Sequence, residues 1–195
     1  KTLLATAGAF ALLTTSMTNA ADMKPAADAV PPLLAPWVGP YGGVPPFDQV
    51  KVGDLKPGLE TGMAQQLAEI DRIANDPAAP TFENTIAAME RSGRTLDRVA
   101  TVYGVYSSTL NDEAVQAVER EMAPKLAAFS DQITQNPQLF ERIARVYETR
   151  ETSGLTPEQQ RLPWEYYTNF VRAGARLDAA GKKRTAELNQ ELARL

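Results

Sequence analysis

The sequence predicts an all-α fold, and three observations support this class. From Asp54 onward, apolar residues recur at steps of three and four, a spacing that places them on one face of an α-helix. No stretch shows the sustained alternation of apolar and polar residues that is typical of strands. Several apolar runs begin at a residue type that caps helix N-termini, and some of these are followed directly by proline.

The first twenty residues have the layout of a secretory signal peptide. Lys1 precedes an apolar run over residues 3–13, and hydroxyl-bearing and small residues then lead to Ala20 and Ala21. The apolar run is shorter than the about 20 residues that a membrane-spanning helix needs. We therefore predict cleavage between Ala20 and Ala21 and export to the periplasm. The alternative is a buried or membrane-anchoring N-terminal helix.

A proline-rich segment follows at residues 21–46 and holds seven of the 14 prolines in the chain. This density disfavours regular helix and favours extended and turn structure. Leu33 and Trp37 are large and apolar, so we expect the later half of the segment to pack along the helical region. The glycines here neither follow a predicted strand nor match the spacing of a phosphate-binding loop.

The helical region is predicted to cover residues 47–195. Its first helix is expected to be capped by Asp54 and to end near Asn75-Asp76-Pro77, where a turn residue meets proline. Its apolar stripe consists of Leu59, Met63, Leu67, Ile70 and Ile73.

A second helix is predicted to begin at Thr81. The Thr81 hydroxyl can cap the first turn, and Glu83 lies near the positive end of the helix dipole. The apolar stripe continues in phase past Gly93 to Tyr103, so we predict one long helix, weakened by about 1 kcal/mol at Gly93.

Four further helices are predicted from their start signals. One begins near Asp112 and should be kinked at Pro124, because proline removes a backbone hydrogen bond. Another opens at Asn136-Pro137, and a third at Thr156, where Gln159 can complete a capping box.

The last helix is predicted from about Ala179 and carries leucines at 188, 192 and 195. It reaches the end of the chain with its apolar spacing still repeating and without a glycine or proline stop. We therefore expect the natural domain to continue.

Composition excludes several classes of catalytic site. The 195 residues contain neither cysteine nor histidine, which removes thiol catalysis, disulfides, Ser-His-Asp triads and a His-Glu-x-x-His zinc site within this chain. No Ser-x-x-Lys pair offers a histidine-free nucleophile. The net charge of −4 argues against nucleic-acid binding. We interpret the short cluster Lys182-Lys183-Arg184 as a solvated helix face.

One group of aromatic and basic residues is a candidate ligand contact. Tyr166, Tyr167, Arg172 and Arg176 share one helical region and could contact a peptide carboxylate, since arginine suits bidentate carboxylate binding. The favoured interpretation is that the tyrosines belong to the core and the arginines pair with surface carboxylates. Trp37 and Trp164 are interpreted as core or interface anchors.

Polar residues around the first two predicted helices have structural interpretations. Glu69 and Asp71 are two residues apart on a helix and face different ways, so they are a poor acid pair. Asn84 and Thr85 are expected to serve packing or first-turn hydrogen bonds rather than substrate binding.

Seven segments, taken in order, resemble the N-terminal region of the M3 (thimet oligopeptidase) family of metallopeptidases. They cover nearly all of the chain after the predicted signal peptide, and their combination is more specific than any one of them. The segments are Leu33-Leu34-Ala35-Pro36-Trp37, Pro45-Pro46-Phe47-Asp48, Glu69-Ile70-Asp71-Arg72-Ile73-Ala74, the run from Pro80 to Gly93, Glu121-Met122-Ala123-Pro124-Lys125-Leu126, Phe140-Glu141-Arg142-Ile143 and Phe170-Val171-Arg172-Ala173-Gly174-Ala175.

The resemblance implies a mostly helical peptidase with a deep cleft and a zinc cofactor, which the family holds with a His-Glu-x-x-His helix and a further Glu. The implied reaction is hydrolysis of oligopeptides with release of C-terminal dipeptides. No position here matches a catalytic or metal residue of the family, so none is assigned, and substrate-binding residues stay unassigned. The segment would form part of the helical wall of the cleft.

We accordingly expect the 195-residue chain to bind no zinc and to be inactive alone. Oligopeptides are the expected partners of the full-length enzyme, with no nucleic acid and no membrane span after signal cleavage. The alternative is a stand-alone exported helical domain with a binding or scaffold role.

Overall fold

The computed structural model describes residues 30–40 and 43–195, and the prediction of an all-α fold is confirmed there. These residues form no strand, and their only sheet-like contact is an isolated bridge between Val38 and Val44. The predicted signal peptide and its cleavage site between Ala20 and Ala21 lie outside the described residues. The helical elements are α1 Val52–Ala74, a π-helical turn Phe82–Ile86, α2 Ala87–Arg91, α3 Arg94–Thr109, α4 Glu113–Thr134, α5 Pro137–Thr149, α6 Pro157–Arg172 and α7 Ala179–Leu192.

Most helices begin at the capping residues that the sequence indicates. Asp112 accepts a hydrogen bond from the Val115 amide at 2.9 Å, at the start of α4. Thr156 and Gln159 form the predicted capping box at the start of α6. Each such cap contributes about 1 kcal/mol. Helix α4 runs without a break through Pro124, and α1 ends at Ala74, next to the predicted stop.

The predicted capping role of Asp54 is wrong in its position. Helix α1 begins at Val52, and Asp54 lies inside its first turn. There its carboxylate accepts a hydrogen bond from the Lys51 amide at 2.8 Å. An acidic residue three positions into a helix can satisfy the free amide at the N-cap, and sequence spacing does not distinguish this role from the cap itself.

The single long helix predicted across Gly93 is also wrong. Ser92 is extended, and Gly93 has a φ of 76°, so the chain turns between α2 and α3. The Gly93 amide donates to Glu69 of α1 at 2.7 Å. A Cβ at Gly93 would lie 2.5 Å from the Gln66 side chain. This contact with α1 fixes a left-handed turn that glycine adopts readily and most residues do not.

The core consists of two clusters joined by the long helix α1. The first cluster lies between residues 33–37, the N-terminal part of α1, α3 and α4, and it includes the buried Leu33, as expected for the later half of the proline-rich segment. The second lies between the C-terminal part of α1, the π turn, α2, α5 and α6. Buried side chains of the first cluster include Leu55, Leu59, Val99, Val102 and Met122, and those of the second include Ile70, Ile86, Leu139, Ile143 and Phe170.

Helices α1 and α3 approach closely at Gly62. A Cβ at this position would lie 2.9 Å from the Leu96 Cα atom of α3, a distance that would force the two backbones apart. Glycine at this point of α1 therefore permits the close packing of the first cluster.

Candidate functional site

A buried arginine of α5 holds the segment that connects α1 to the π turn. Arg142 is only 6% exposed. Its Nη1 atom donates to the carbonyl oxygens of Asp76 at 2.7 Å and Ala78 at 3.0 Å, and its Nη2 atom donates to Asn84 Oδ1 at 3.0 Å. The Asp76 carboxylate lies 3.6 Å from the guanidinium. Because both terminal nitrogens of Arg142 donate hydrogen bonds within the protein, this residue positions the chain rather than binding a ligand.

Asn84 and Thr85 have the structural role that was expected. The Asn84 side chain accepts from the Thr81 amide at 2.8 Å and donates to the Ala79 carbonyl at 2.9 Å. Thr81 in turn accepts from the Asn84 amide at 3.1 Å, as its predicted capping role requires. Thr85 is fully buried and donates to Asn84 at 3.0 Å. Their polar atoms are occupied by first-turn hydrogen bonds.

Tyr166 has a structural hydrogen-bond partner on a neighbouring helix, which favours a structural role over substrate binding. Its hydroxyl donates to Glu90 of α2 at 2.6 Å. Burial raises the pKa of Tyr166 well above its usual value, and the Glu90 carboxylate raises it further. The phenol therefore stays protonated at neutral pH and ties α6 to α2.

Tyr167 lies in a stack of aromatic rings that links α5 and α6. Its ring lies parallel to Tyr147 at 4.2 Å between centroids and stacks on Phe140 at 5.7 Å. The core interpretation of both tyrosines is thus confirmed. Among the described residues, the Arg176 guanidinium contacts the hydroxyl and ring of Tyr167, and the described ion pairs do not include the carboxylate partner expected for it. The described ion pairs do not include Arg172.

Glu69 and Asp71 diverge as expected. Glu69 accepts from the Gly93 amide, whereas Asp71 accepts from the Asn75 side chain at 2.8 Å within its own helix. The two carboxylates therefore have separate structural partners and do not form an acid pair.

The two tryptophans differ in their surroundings. Trp37 packs against the first core cluster, which confirms an anchoring role. Trp164 is 42% exposed, and the Arg161 guanidinium lies 5.6 Å from its ring centroid.

The basic cluster on α7 is mostly solvated. Lys183 is exposed, and Arg184 pairs with Glu187 at 3.3 Å on the surface. Lys182 differs, because its Nζ atom donates to the Gln135 carbonyl of α4 at 3.0 Å. The interpretation as a solvated face is correct for two of the three residues.

A charged groove between α1 and the π turn with α2 is the candidate ligand-binding surface. It has a volume of about 510 Å³ and is open to solvent. Arg91 is paired with Glu83 at 2.8 Å across one wall. The Arg72 guanidinium donates a hydrogen bond to the Ala68 carbonyl oxygen of its own helix. The groove is lined by Glu69, Arg72, Ile73, Asp76, Glu83, Asn84, Ala88, Arg91 and Ser92.

Sequence reasoning missed two arginines that shape this region. Arg72 and Arg142 both lie in segments that carry the family resemblance, but the sequence analysis predicts no individual role for either. A usable signal existed for Arg142, which is three residues after Leu139 and next to Ile143 on the apolar face of α5. A charged residue on such a face commonly has buried partners.

Two further properties hold for the part of the chain that the structure describes. Within residues 30–40 and 43–195, no three Asp or Glu side chains are grouped so that they could hold a metal ion. No helix in these residues has the length and apolar character required to span a membrane.

The chain is similar to curated peptidases. It is 37% identical over 164 residues to the dipeptidyl carboxypeptidases of Salmonella typhimurium and Escherichia coli, a match that covers 84% of this chain and 24% of each relative. It is 22% identical over 154 residues to organellar oligopeptidase A of Arabidopsis thaliana, covering 77% of this chain and 19% of that protein. No protein-family model matches.

The chain spans about a quarter of the length of the dipeptidyl carboxypeptidases that it matches. The oligopeptidase A relatives are members of the M3 family. The resemblance to the M3 (thimet oligopeptidase) family is thereby confirmed, and the chain is similar to the bacterial dipeptidyl carboxypeptidases.

Proposed function

We propose that this chain is the N-terminal helical part of an exported peptidyl-dipeptidase that hydrolyses oligopeptides and releases C-terminal dipeptides. The observation that carries the proposal is the 37% identity to two dipeptidyl carboxypeptidases over 84% of the chain. Because the match covers 24% of each relative, the chemistry is assigned to the longer enzyme and not to these residues.

In this proposal the helical segment forms part of the wall of the substrate cleft. The charged groove between α1 and the π turn supports such a role, because Arg72 has a guanidinium on an open surface. Guanidinium groups bind carboxylates through two parallel hydrogen bonds, and peptide substrates carry carboxylates. The clamp of Arg142 on the connecting segment keeps this surface in place.

The zinc ion of the proposed enzyme does not fit the residues of this chain. The sequence has no histidine, and its described carboxylates are not grouped as metal ligands. Zinc sites in proteins are built from Cys, His and carboxylate ligands in close groups. We therefore assign the metal to residues that are not among these 195.

The test uses the complete gene product. The coding sequence is read beyond the codon for Leu195, the whole product is purified, and it is incubated with an N-terminally blocked oligopeptide. Mass spectrometry should detect successive loss of dipeptides from the C-terminus, and a metal chelator should abolish it. The matched control is the 195-residue chain, which should cleave no peptide and hold no stoichiometric zinc.

Several outcomes would contradict the proposal. A stop codon directly after Leu195 would favour the alternative of a stand-alone exported helical binding or scaffold domain. One tightly held zinc per 195-residue chain would contradict the assignment of the metal. A complete product that leaves blocked oligopeptides intact would contradict the activity.

Export is tested separately. The mature protein recovered from the periplasm should begin at Ala21, because the small residues before this position suit signal-peptide cleavage. N-terminal sequencing distinguishes this from an uncleaved anchor, which would retain the apolar run and fractionate with the membrane.

A further inference from the structure

Helix α7 packs on α4, and two hydrogen bonds join the two helices. Asn189 donates to Asp131 of α4 at 2.8 Å, and Lys182 donates to the Gln135 carbonyl at 3.0 Å. Between these contacts the two helices leave a groove that Ala186 helps to line. The side of α7 that faces its neighbour is therefore polar and small.

A row of leucines lies on another side of α7. Leu188 and Leu192 are four residues apart and thus share a helix face. Leu195 follows three residues after the helix ends at Leu192. Leu177, just before the helix, lies against Gly181 on this side. We call Leu177, Leu188, Leu192 and Leu195 the leucine stripe. Their exposed fractions are 45%, 40%, 65% and 99%.

The leucine stripe reverses the usual arrangement of a surface helix. An amphipathic helix normally turns its apolar face to the core and its polar face to solvent. Helix α7 buries none of its residues, and its charged residues other than Lys182 lie on a third side. These charged residues are Lys183, Arg184, Glu187 and Glu191.

We propose that the leucine stripe packs against the polypeptide that follows α7 in the complete peptidase. This inference rests on the proposed function, in which the chain continues. The matched relatives are about four times longer than the aligned part, so most of such an enzyme remains to be placed. The stripe lies along the last described helix, on which Leu192 is 65% exposed.

A second copy of this chain is a poorer fit to the same surface. A stable protein–protein interface buries roughly 800 Å² on each partner. Four exposed leucines on and beside one helix offer less apolar surface than this. A segment of the same polypeptide needs no such area, since its local concentration is already high.

The test is hydroxyl-radical footprinting of the complete gene product, read by mass spectrometry. Leu192 and Leu188 should be oxidised several-fold more slowly than Leu110, which is 57% exposed at the end of α3 and serves as the internal reference. Oxidation of Leu192 as fast as Leu110 would overturn the inference. Protection that disappears on dilution, together with a dimeric mass in light scattering, would also overturn it in favour of a second copy.

A pair of variants provides the second measurement. Leu192→Asp in the complete product should speed amide hydrogen exchange throughout α7 by several-fold, because a carboxylate is placed in the apolar contact. Lys183→Asp introduces the same residue on the charged side of α7 and should leave exchange unchanged. Equal effects of the two variants would show that the stripe has no partner.

Peptidase activity measured in the same samples separates the two proposals. Dipeptide release with a freely oxidised stripe would retain the function and overturn the interface. A protected stripe without dipeptide release would retain the interface and overturn the function.

Discussion

The contact between α1 and α3 is apolar, whereas the contacts described between α4 and α7 include hydrogen bonds between polar groups. Between α1 and α3, buried leucines and valines meet around Gly62, which lets the helices approach closely. Between α4 and α7, the described contacts include the Asn189–Asp131 hydrogen bond and the Lys182 bond to a backbone carbonyl. The first contact uses the apolar faces of its helices, whereas Leu188 and Leu192 of α7 stay 40% and 65% exposed.

The difference between the two contacts indicates which interactions stabilise each helix. Burial of an apolar side chain contributes about 1.5–3 kcal/mol, whereas a typical hydrogen bond contributes about 0.5–1.5 kcal/mol net. The α1–α3 contact is therefore expected to be part of the stable centre of the molecule. The α4–α7 contact orients α7 but contributes less to the free energy of unfolding. We therefore expect α7 to unfold locally before the other helices.

The largest effect should come from a leucine of the apolar contact. Leu59→Ala removes a fully buried side chain of the first core cluster and should lower the free energy of unfolding by about 2–5 kcal/mol. In the 195-residue chain, the control Leu188→Ala on the leucine stripe should change it by no more than about 0.5 kcal/mol. Urea unfolding of both variants checks this, and equal losses would contradict the contrast.

The close approach at Gly62 can be tested with a second glycine. Gly62→Ala places a methyl group against the α3 backbone, and this overpacking should cost about 1–3 kcal/mol. The helix propensity of alanine offsets about 1 kcal/mol of that cost. Gly104→Ala on α3 meets no atom within 4 Å and should instead stabilise by up to about 1 kcal/mol. Thermal unfolding distinguishes the two, and a stabilising Gly62→Ala would refute the close packing.

The turn between α2 and α3 tests how α1 holds its neighbours. Gly93→Ala forces alanine into a left-handed conformation, which costs about 1–2 kcal/mol. Gly154→Ala carries the same strain at a φ of 68°, but has no atom within 4 Å. Gly93→Ala should therefore lose about 1 kcal/mol more, because crowding with Gln66 also strains the hydrogen bond that the Gly93 amide donates to Glu69. Equal losses in urea unfolding would mean that only backbone strain matters there.

The fold class and the helix starts could be predicted because their causes are local. The capping residues Asp112, Asn136 and Thr156 lie within three residues of the amides that they bind. The turn at Gly93 could not be predicted from local spacing, since it depends on Glu69, which is 24 residues away. Local propensity favoured one helix, and a tertiary hydrogen bond decided otherwise.

The candidate site was less accessible to prediction than the fold. The exclusion of histidine and cysteine chemistry followed from composition alone. The groove with Arg72 arises where α1 passes the π turn and α2, and such a juxtaposition is not visible in a sequence. The partners of Arg142 likewise lie 58 to 66 residues away along the chain.

The smallest effect is expected at the polar contact of α7. Asn189→Ala removes the hydrogen bond to Asp131, a buried carboxylate, and should cost about 0.5–1.5 kcal/mol. Because this contact orients only α7, amide exchange should rise in α7 and stay unchanged in α1 and α3. Lys183→Ala lies on the exposed side of the same helix. It should change the free energy of unfolding by no more than about 0.5 kcal/mol and should leave amide exchange in α7 unchanged. Faster exchange of α1 and α3 in Asn189→Ala would show that the polar contact supports the whole core, and would remove the distinction between the two contacts.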